Sequence, residues 1–210
     1  MFTGIVEAKS RLLNFRADDP THPKTAQIEI EKPNQFDDLK LGDSVCVDGV
    51  CLTVEKLSDS AIYFSLGYET LKVTNWGQKD VGQRTLNLER SMRYNDRIHG
   101  HIVTGHVDGT AQLVKMDKVT DNWGLEFRVD QDQLLPMIWR KGSVAINGVS
   151  LTVNEVKDDH FSVCIIPETI KRTNLADLSL GQTVNIEVDQ MARGLAHLFS
   201  LERSSREFNL

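Results

Sequence analysis

The chain has no surplus of positive charge: 24 Lys and Arg stand against 30 Asp and Glu, a formal charge of −6 with a pI near 5.5. A nucleic-acid partner needs Lys and Arg gathered on one face, and no basic run occurs, so none is expected. Uninterrupted apolar stretches fall far short of the ~20 residues that cross a bilayer, so no membrane partner is expected either. The amino terminus lacks a basic stretch leading into an apolar core and a cleavage site, which points to a cytoplasmic protein. Cys46, Cys51 and Cys164 are a sparse, odd set without CxxC spacing. Reduced thiols fit that set better than a disulfide framework. Neither G-x-G-x-x-G nor G-x-x-x-x-G-K-[ST] is present, which leaves dinucleotide binding on a Rossmann unit and P-loop phosphate transfer without support.

What the chain does contain is one passage written twice. Ser44-Val45-Cys46-Val47-Asp48-Gly49-Val50-Cys51-Leu52-Thr53-Val54 returns as Ser143-Val144-Ala145-Ile146-Asn147-Gly148-Val149-Ser150-Leu151-Thr152-Val153, an offset of 99. The same offset carries Glu69-Thr70-Leu71-Lys72 onto Glu168-Thr169-Ile170-Lys171, Thr74-Asn75 onto Thr173-Asn174, and Gly82-Gln83 onto Gly181-Gln182. An offset of 101 lays Phe2-Thr3-Gly4-Ile5-Val6 on Val103-Thr104-Gly105-His106-Val107. A period near 100 residues is too long for a solenoid or propeller and has the size of a domain. With 210 residues, 40% of them hydrophobic, each half can bury its own core.

Short runs of period-two alternation recur over Gln27–Glu31, Ala61–Leu66, Leu86–Glu89, Leu125–Val129, Phe161–Ile166 and Val184–Val188, the pattern of half-buried strands. Asp48-Gly49 and Asn147-Gly148, each between β-branched runs, predict a two-residue hairpin at the same place in both halves. About six strands per half in ~95 residues point to a small closed or nearly closed barrel. Pro33–Leu39 and Gln131–Trp139 read as short helices. From Gln190 to Arg206 the pattern changes: Met191, Leu195, Leu198 and Phe199 form an apolar stripe on a polar helix. A neighbouring subunit is a fitting cover for it.

Chemistry is sought where the repeat departs from itself. Cys51 corresponds to Ser150, and a thiol is more acidic and, once ionised, far more nucleophilic than a hydroxyl. A small buried hydrophobe is the plainer reading of Cys51. His106 corresponds to Ile5, a titratable side chain where the first copy has an aliphatic one. His99, His101, His106 and Asp108 cluster within ten residues, but no second cluster completes a metal site, so no metal is expected. For His99 and His160, placement by turn geometry or packing is the plainer reading. Asp189 lies where it can cap the terminal helix, a role that competes with catalysis for the same carboxylate.

The opening Met1-Phe2-Thr3-Gly4-Ile5-Val6, the duplicated Gly-Val-x-Leu-Thr-Val, the segment Gly100-His101-Ile102-Val103-Thr104-Gly105-His106-Val107-Asp108-Gly109 and Pro167-Glu168-Thr169 closely resemble the alpha chain family of riboflavin synthase. The likeness runs in register from residue 1 to about 189. It implies an all-β chain of two similar six-stranded Greek-key barrels (1–100 and 101–189) and a carboxy-terminal helix (190–210) that helps hold a homotrimer. Association with lumazine synthase is also implied. Family members convert two molecules of 6,7-dimethyl-8-ribityllumazine into riboflavin and a ribitylaminouracil by four-carbon transfer, without metal or organic cofactor.

Carried over by position, one pocket would take Thr3, Gly4, Ile5 and Val6, Cys51, Leu52 and Thr53, and Ser65, Leu66, Gly67, Tyr68, Glu69 and Thr70. The other would take Gly105, His106 and Val107, Lys141, Ser150, Leu151 and Thr152, and Cys164, Ile165, Ile166, Pro167, Glu168 and Thr169. Cys51, Ser44 and Thr53 would assist addition at one ring. His106 would move a proton at the ligand's acidic methyl group, Asp189 would orient a polar partner, and Phe2 would close over the ring. His99 departs from the family's usual Gly, and Gln83–Leu88 is one residue longer than its counterpart. The alternative reading is a non-catalytic lumazine- or flavin-binding antenna protein. A plain two-barrel interaction module leaves the Cys51 and His106 asymmetries without a reason.

Overall fold

The computed structural model describes residues 1–19, 21–78 and 84–207. Gly82 and Gln83, which enter the repeat and its extra residue, lie outside the described residues. In the second half, β8 (Gly109–Val119), β9 (Asn122–Val129), β10 (Ser143–Ile146), β11 (Val149–Lys157), β12 (His160–Ile165) and β13 (Thr183–Val188) close a barrel in the order β10-β11-β12-β9-β8-β13. The first half repeats that order with β1 (Ala8–Ala17), β2 (Ala26–Glu31), β3 (Ser44–Val47), β4 (Val50–Thr53), β5 (Lys56–Leu57), β6 (Ala61–Leu66) and β7 (Thr85–Arg90). It has seven strands because the stretch equivalent to β11 is broken into β4 and β5, which sit at opposite ends of the sheet order. In β11 the same point is a bulge, between Val153 and Glu155.

All six predicted strands are present, five of them within one residue of their expected limits, while β9 begins three residues earlier than expected, at Asn122. The hairpins turn at the expected dipeptides, with φ of +45° and +85° at Asp48-Gly49 and +45° and +77° at Asn147-Gly148. Such positive values match the twist of the flanking strands. Pro33–Leu39 is not a helix. It forms turns around the fully buried Phe36, whose N–H donates to the Pro33 carbonyl. Its counterpart is a 3-10 turn over Asp132–Met137, which contains Pro136. Helix α1 (Tyr68–Val73) and helix α2 (Pro167–Arg172), unforeseen in the sequence, follow β6 and β12. Helix α3 spans Gln190–Glu207. Its stripe is uncovered: Met191, Leu195, Leu198 and Phe199 are all exposed. No helix among the described residues is long and apolar enough to cross a membrane.

The two barrels meet along a buried seam of near two-fold form. Gly49 and Gly148 touch backbone to backbone, so that a Cβ on either would lie 2.9 Å from the other's nitrogen. Around them, amides satisfy backbone groups across the seam. The Asn87 amide donates to the Asn147 carbonyl at 3.0 Å and the Asn185 amide donates to the Asp48 carbonyl at 2.9 Å. Asn75 N–H donates to Asn185 Oδ1 and Asn174 N–H donates to Asn87 Oδ1. Buried polar groups left without such partners would each cost about 1–3 kcal/mol.

Asp48 breaks the symmetry, since its counterpart is Asn147. Burial pushes its carboxyl up to about 6 from 3.8, against the opposing pull of Arg84 and of hydrogen bonds from Asn87 and Asn174. Folding therefore favours the protonated form: this contribution is complete below about 3.8 and lost as pH rises through about 6. Measured against an Asp48→Asn variant by urea unfolding, the wild-type chain should lose about 2 kcal/mol of stability between about pH 4.5 and 7.5. A pH-independent difference would contradict the assignment.

Candidate active site

Each barrel extends an arm onto the other. Thr3 N–H (2.7 Å) and hydroxyl (2.9 Å) donate to one oxygen of Glu89, and Gly4 N–H (3.0 Å) donates to the second. Thr104 and Gly105 do the same to Glu187, with backbone bonds of 2.8 and 2.9 Å. Burial pushes Glu89 up to about 6 and shifts Glu187 the same way, in spite of the donors. Beyond these anchors the arms cross. Ser150 N–H donates to the Gly4 carbonyl at 2.8 Å, and Cys51 N–H donates to the Gly105 carbonyl at 2.9 Å. Val6 packs in the second barrel's core and Val107 against the first's. Phe2 and Val103 exchange backbone hydrogen bonds where the arms pass.

This corrects the grouping read from the sequence. Thr3 to Val6 were expected beside Cys51, and Gly105 to Val107 beside Ser150, but the structure exchanges them. A repeat equates positions without saying on which barrel an arm packs. The exchange brings the two asymmetric residues into one place, since the arm bearing His106 lies over Cys51. Ser44, Cys46, Cys51 and Thr53 alternate along the hairpin with Val45, Val47, Val50 and Leu52, which are buried in the barrel. Three of the expected residues, Ser44, Cys51 and Thr53, therefore share the outward face. In the other hairpin Ser150 and Thr152 face outward and Leu151 inward.

Side walls follow β6 and β12. Leu66 and Ile165 are buried in the cores, while Ser65, Gly67, Tyr68 and Glu69, and Cys164, Ile166, Pro167 and Glu168, are exposed at the starts of α1 and α2, with Thr70 and Thr169 half-buried behind them. Ser65 to Gly67 also border a cleft of about 430 Å³ that continues along Arg16 to Asp18 and Thr25 to Gln27. A larger cleft of about 890 Å³ touches only Ser44 of the expected residues. It is lined by charges such as Arg90, Glu7 and Asp38 that pair with one another, so we assign it no part in the site. Lys141 is exposed at the turn before β10, with φ of +69°.

Phe2 differs from expectation. It is fully buried in the seam against Cys46, Val103 and Ala145, so its side chain cannot cover a ligand and instead anchors the first arm. Asp189 caps α3 by accepting from Met191 N–H at 2.7 Å. The helix start is tied to the second arm, because Arg193 donates to Asp108 at 2.7 Å and to the His106 carbonyl at 3.4 Å. His106 itself is exposed. The histidine cluster disperses, and among the described residues no three His, Cys, Asp or Glu side chains are placed to hold a metal ion.

His101, which the sequence offered only as part of a histidine cluster and a family-like segment, stands at the second hairpin. Its Nδ1 lies 2.7 Å from Ser150 Oγ, and its buried Nε2 has no partner among the described residues. Burial lowers its pKa against the opposing field of Asp189, so the ring is held neutral. Gly100 is the signal that could have found it: a Cβ there would fall 2.1 Å from the Thr3 carbonyl and 2.8 Å from Ser150 Oγ. The crossings thus give two related groups of residues, Cys51 with the arm that bears His106, and Ser150 and His101 with the arm that bears Ile5.

The lumazine binding domain family matches the chain twice, over residues 3–91 and 104–189. Riboflavin synthase of Escherichia coli (strain K12) is 37% identical over 207 residues, covering 99% of this chain and 95% of that protein. This chain belongs to the riboflavin synthase family of enzymes. Solved structures of LumP are also similar. The complex with riboflavin has a TM-score of 0.80 at 25% identity, covering 90% of this chain and 99% of that one. The complex with 6,7-dimethyl-8-(1'-D-ribityl) lumazine has a TM-score of 0.78 at 24% identity over the same shares, a likeness of fold.

The crossing arms make a test that needs no ligand. Gly105 has φ of +78°, and a Cβ there would lie 2.5 Å from that of Cys51; Gly4 stands in the same relation to Ser150, at 2.6 Å. Gly105→Ala should cost about 1–3 kcal/mol and change the alkylation rate of Cys51, followed by peptide mapping. Gly4→Ala should leave that rate unchanged. The opposite pattern would refute the exchange.

Proposed function

We propose that the chain is a cytoplasmic riboflavin synthase that dismutates two molecules of 6,7-dimethyl-8-ribityllumazine, passing four carbons from one to the other to give riboflavin and 5-amino-6-ribitylaminouracil. The observation that carries this reading is the pair of equivalent arm-and-hairpin crossings, one at Cys51 and one at Ser150, with unequal side chains. Two like molecules fit two like pockets, and unlike side chains let one molecule donate what the other accepts. In this reading 1–100 and 101–189 each hold one lumazine and 190–210 assembles a trimer. Fixing the two rings in contact supplies much of the rate gain.

The backbone of the outward hairpin strands offers hydrogen bonds to the ring edges. Thr53, Thr70, Thr152 and Thr169 offer hydroxyls to the ribityl chains. Cys51, with Ser44 and Thr53 beside it, assists addition at one ring, and the arm that crosses there brings His106 to transfer a proton. In the other pocket the neutral His101 can take a proton through Ser150, under the field of Asp189. Lys141, exposed on the second barrel, is free to reach a ligand held by a neighbouring subunit. Ile5 and His106 are exposed on the single chain, so a second subunit would bring the two ligands face to face. The uncovered stripe of α3 supports such an assembly.

Purified protein given 6,7-dimethyl-8-ribityllumazine alone should release riboflavin, measured by chromatography. Cys51→Ser and His106→Gln should lower turnover by about 100-fold or more while ligand affinity, read by fluorescence titration, changes only a few-fold. Binding without riboflavin would instead favour the antenna reading. Leu195→Glu with Phe199→Glu should convert a trimer to monomers in light scattering and abolish turnover. Unchanged mass would remove α3 from the interface.

A further inference from the structure

Cys46 lies directly across the first hairpin from Cys51, as its Cα partner in the β3–β4 ladder. The Cys51 N–H points away from β3, to the Gly105 carbonyl. Cys46 and Cys51 are therefore a non-hydrogen-bonded pair, the class in which opposed Cα atoms of antiparallel strands approach to about 4.5 Å. That spacing falls within the 4.4–6.8 Å range a disulfide requires. Both side chains leave the same face of the hairpin, and both pack in the cluster formed with Phe2, Val103 and Ala145. The second hairpin has Ala145 and Ser150 at the same two places, so only the first pocket carries the pair.

We propose that Cys46 and Cys51 form a reversible disulfide, a covalent modification site that takes the Cys51 sulfur out of its pocket. The oxidant is a peroxide. Cys51 is partly exposed and meets it first, whereas burial pushes the Cys46 thiol well up and keeps it protonated. The Cys51 thiol gives up its proton and its sulfur attacks one peroxide oxygen, becoming a sulfenic acid, while the other oxygen leaves as hydroxide and takes that proton to become water. The Cys46 sulfur then attacks the Cys51 sulfur and expels its oxygen, which departs as a second water with the Cys46 proton. Two thiols have lost two electrons and two protons, and one peroxide has become two waters. A small dithiol reverses the bond by exchange. Cys46 makes this outcome available in place of the irreversible sulfinic acid.

Whether the bond silences turnover rests on the role proposed for Cys51; the bond itself does not. Both cysteines fall in the tryptic peptide 41–56. After hydrogen peroxide treatment and alkylation of the full-length protein, that peptide should appear unalkylated and two hydrogens lighter, returning to two alkylated thiols after dithiothreitol. Turnover should fall in parallel and recover with the dithiol. Cys46→Ala, the residue already at Ala145, and Cys46→Ser should keep basal turnover, fail to recover, and carry Cys51 as sulfinic acid. If the wild-type peptide shows Cys51 sulfinic acid at the rate seen in Cys46→Ala, with no peptide two hydrogens lighter, the proposal is overturned. If the disulfide forms while turnover persists, the modification site stands and the catalytic role of Cys51 falls.

Discussion

Two buried carboxylates govern the arrangement of everything else. Glu89 and Glu187 stand on the last strand of their barrels, each receiving three donors from a Thr-Gly pair. Placing a carboxylate in so dry a setting is unfavourable unless its oxygens are satisfied, and the arm is what satisfies them. Once Thr3-Gly4 and Thr104-Gly105 are held there, the chain beyond has only one direction to go, across to the opposite barrel. The pockets, their side chains and the buried position of Phe2 all follow from those anchors.

The exchange also explains how a duplicated module becomes an asymmetric one. Strict symmetry would give two identical pockets. Here the arm that carries His106 crosses the strand of Cys51, and the arm that carries Ile5 crosses that of Ser150, whose hydroxyl meets a different imidazole, His101. The symmetry is broken with few substitutions, and the barrels that carry them stay alike.

Much of this was legible in the sequence, and the misses have physical causes. The hairpins could be placed to the residue because Asp-Gly and Asn-Gly tolerate the positive φ that a two-residue turn demands. Strands showed through because one face of each is buried. Pro33–Leu39 looked helical, yet a single buried side chain, Phe36, is enough to hold a turn and too little to organise a helix. The pairing of arms with barrels was hidden because it depends on contacts over long sequence separations, such as Ser150 with Gly4. Glu89 and Glu187 looked like ordinary outward residues of alternating strands. The partnership of Cys46 with Cys51 was passed over because an odd set of three cysteines without CxxC spacing reads as reduced thiols, and the hairpin register that opposes the two is a matter of pairing across the turn.

The seam between the barrels has the form of an interface between two copies of one protein. Gly49 meets Gly148, Asn87 reaches the turn that corresponds to its own, and each arm is lent to its neighbour and returned in kind. In an oligomer this would be called an isologous, domain-swapped dimer. A lone barrel with its arm would expose the Gly-turn and the amides until it found a twin. Joining the twins in one polypeptide fixes their stoichiometry at one to one, and it frees each to diverge without losing its partner.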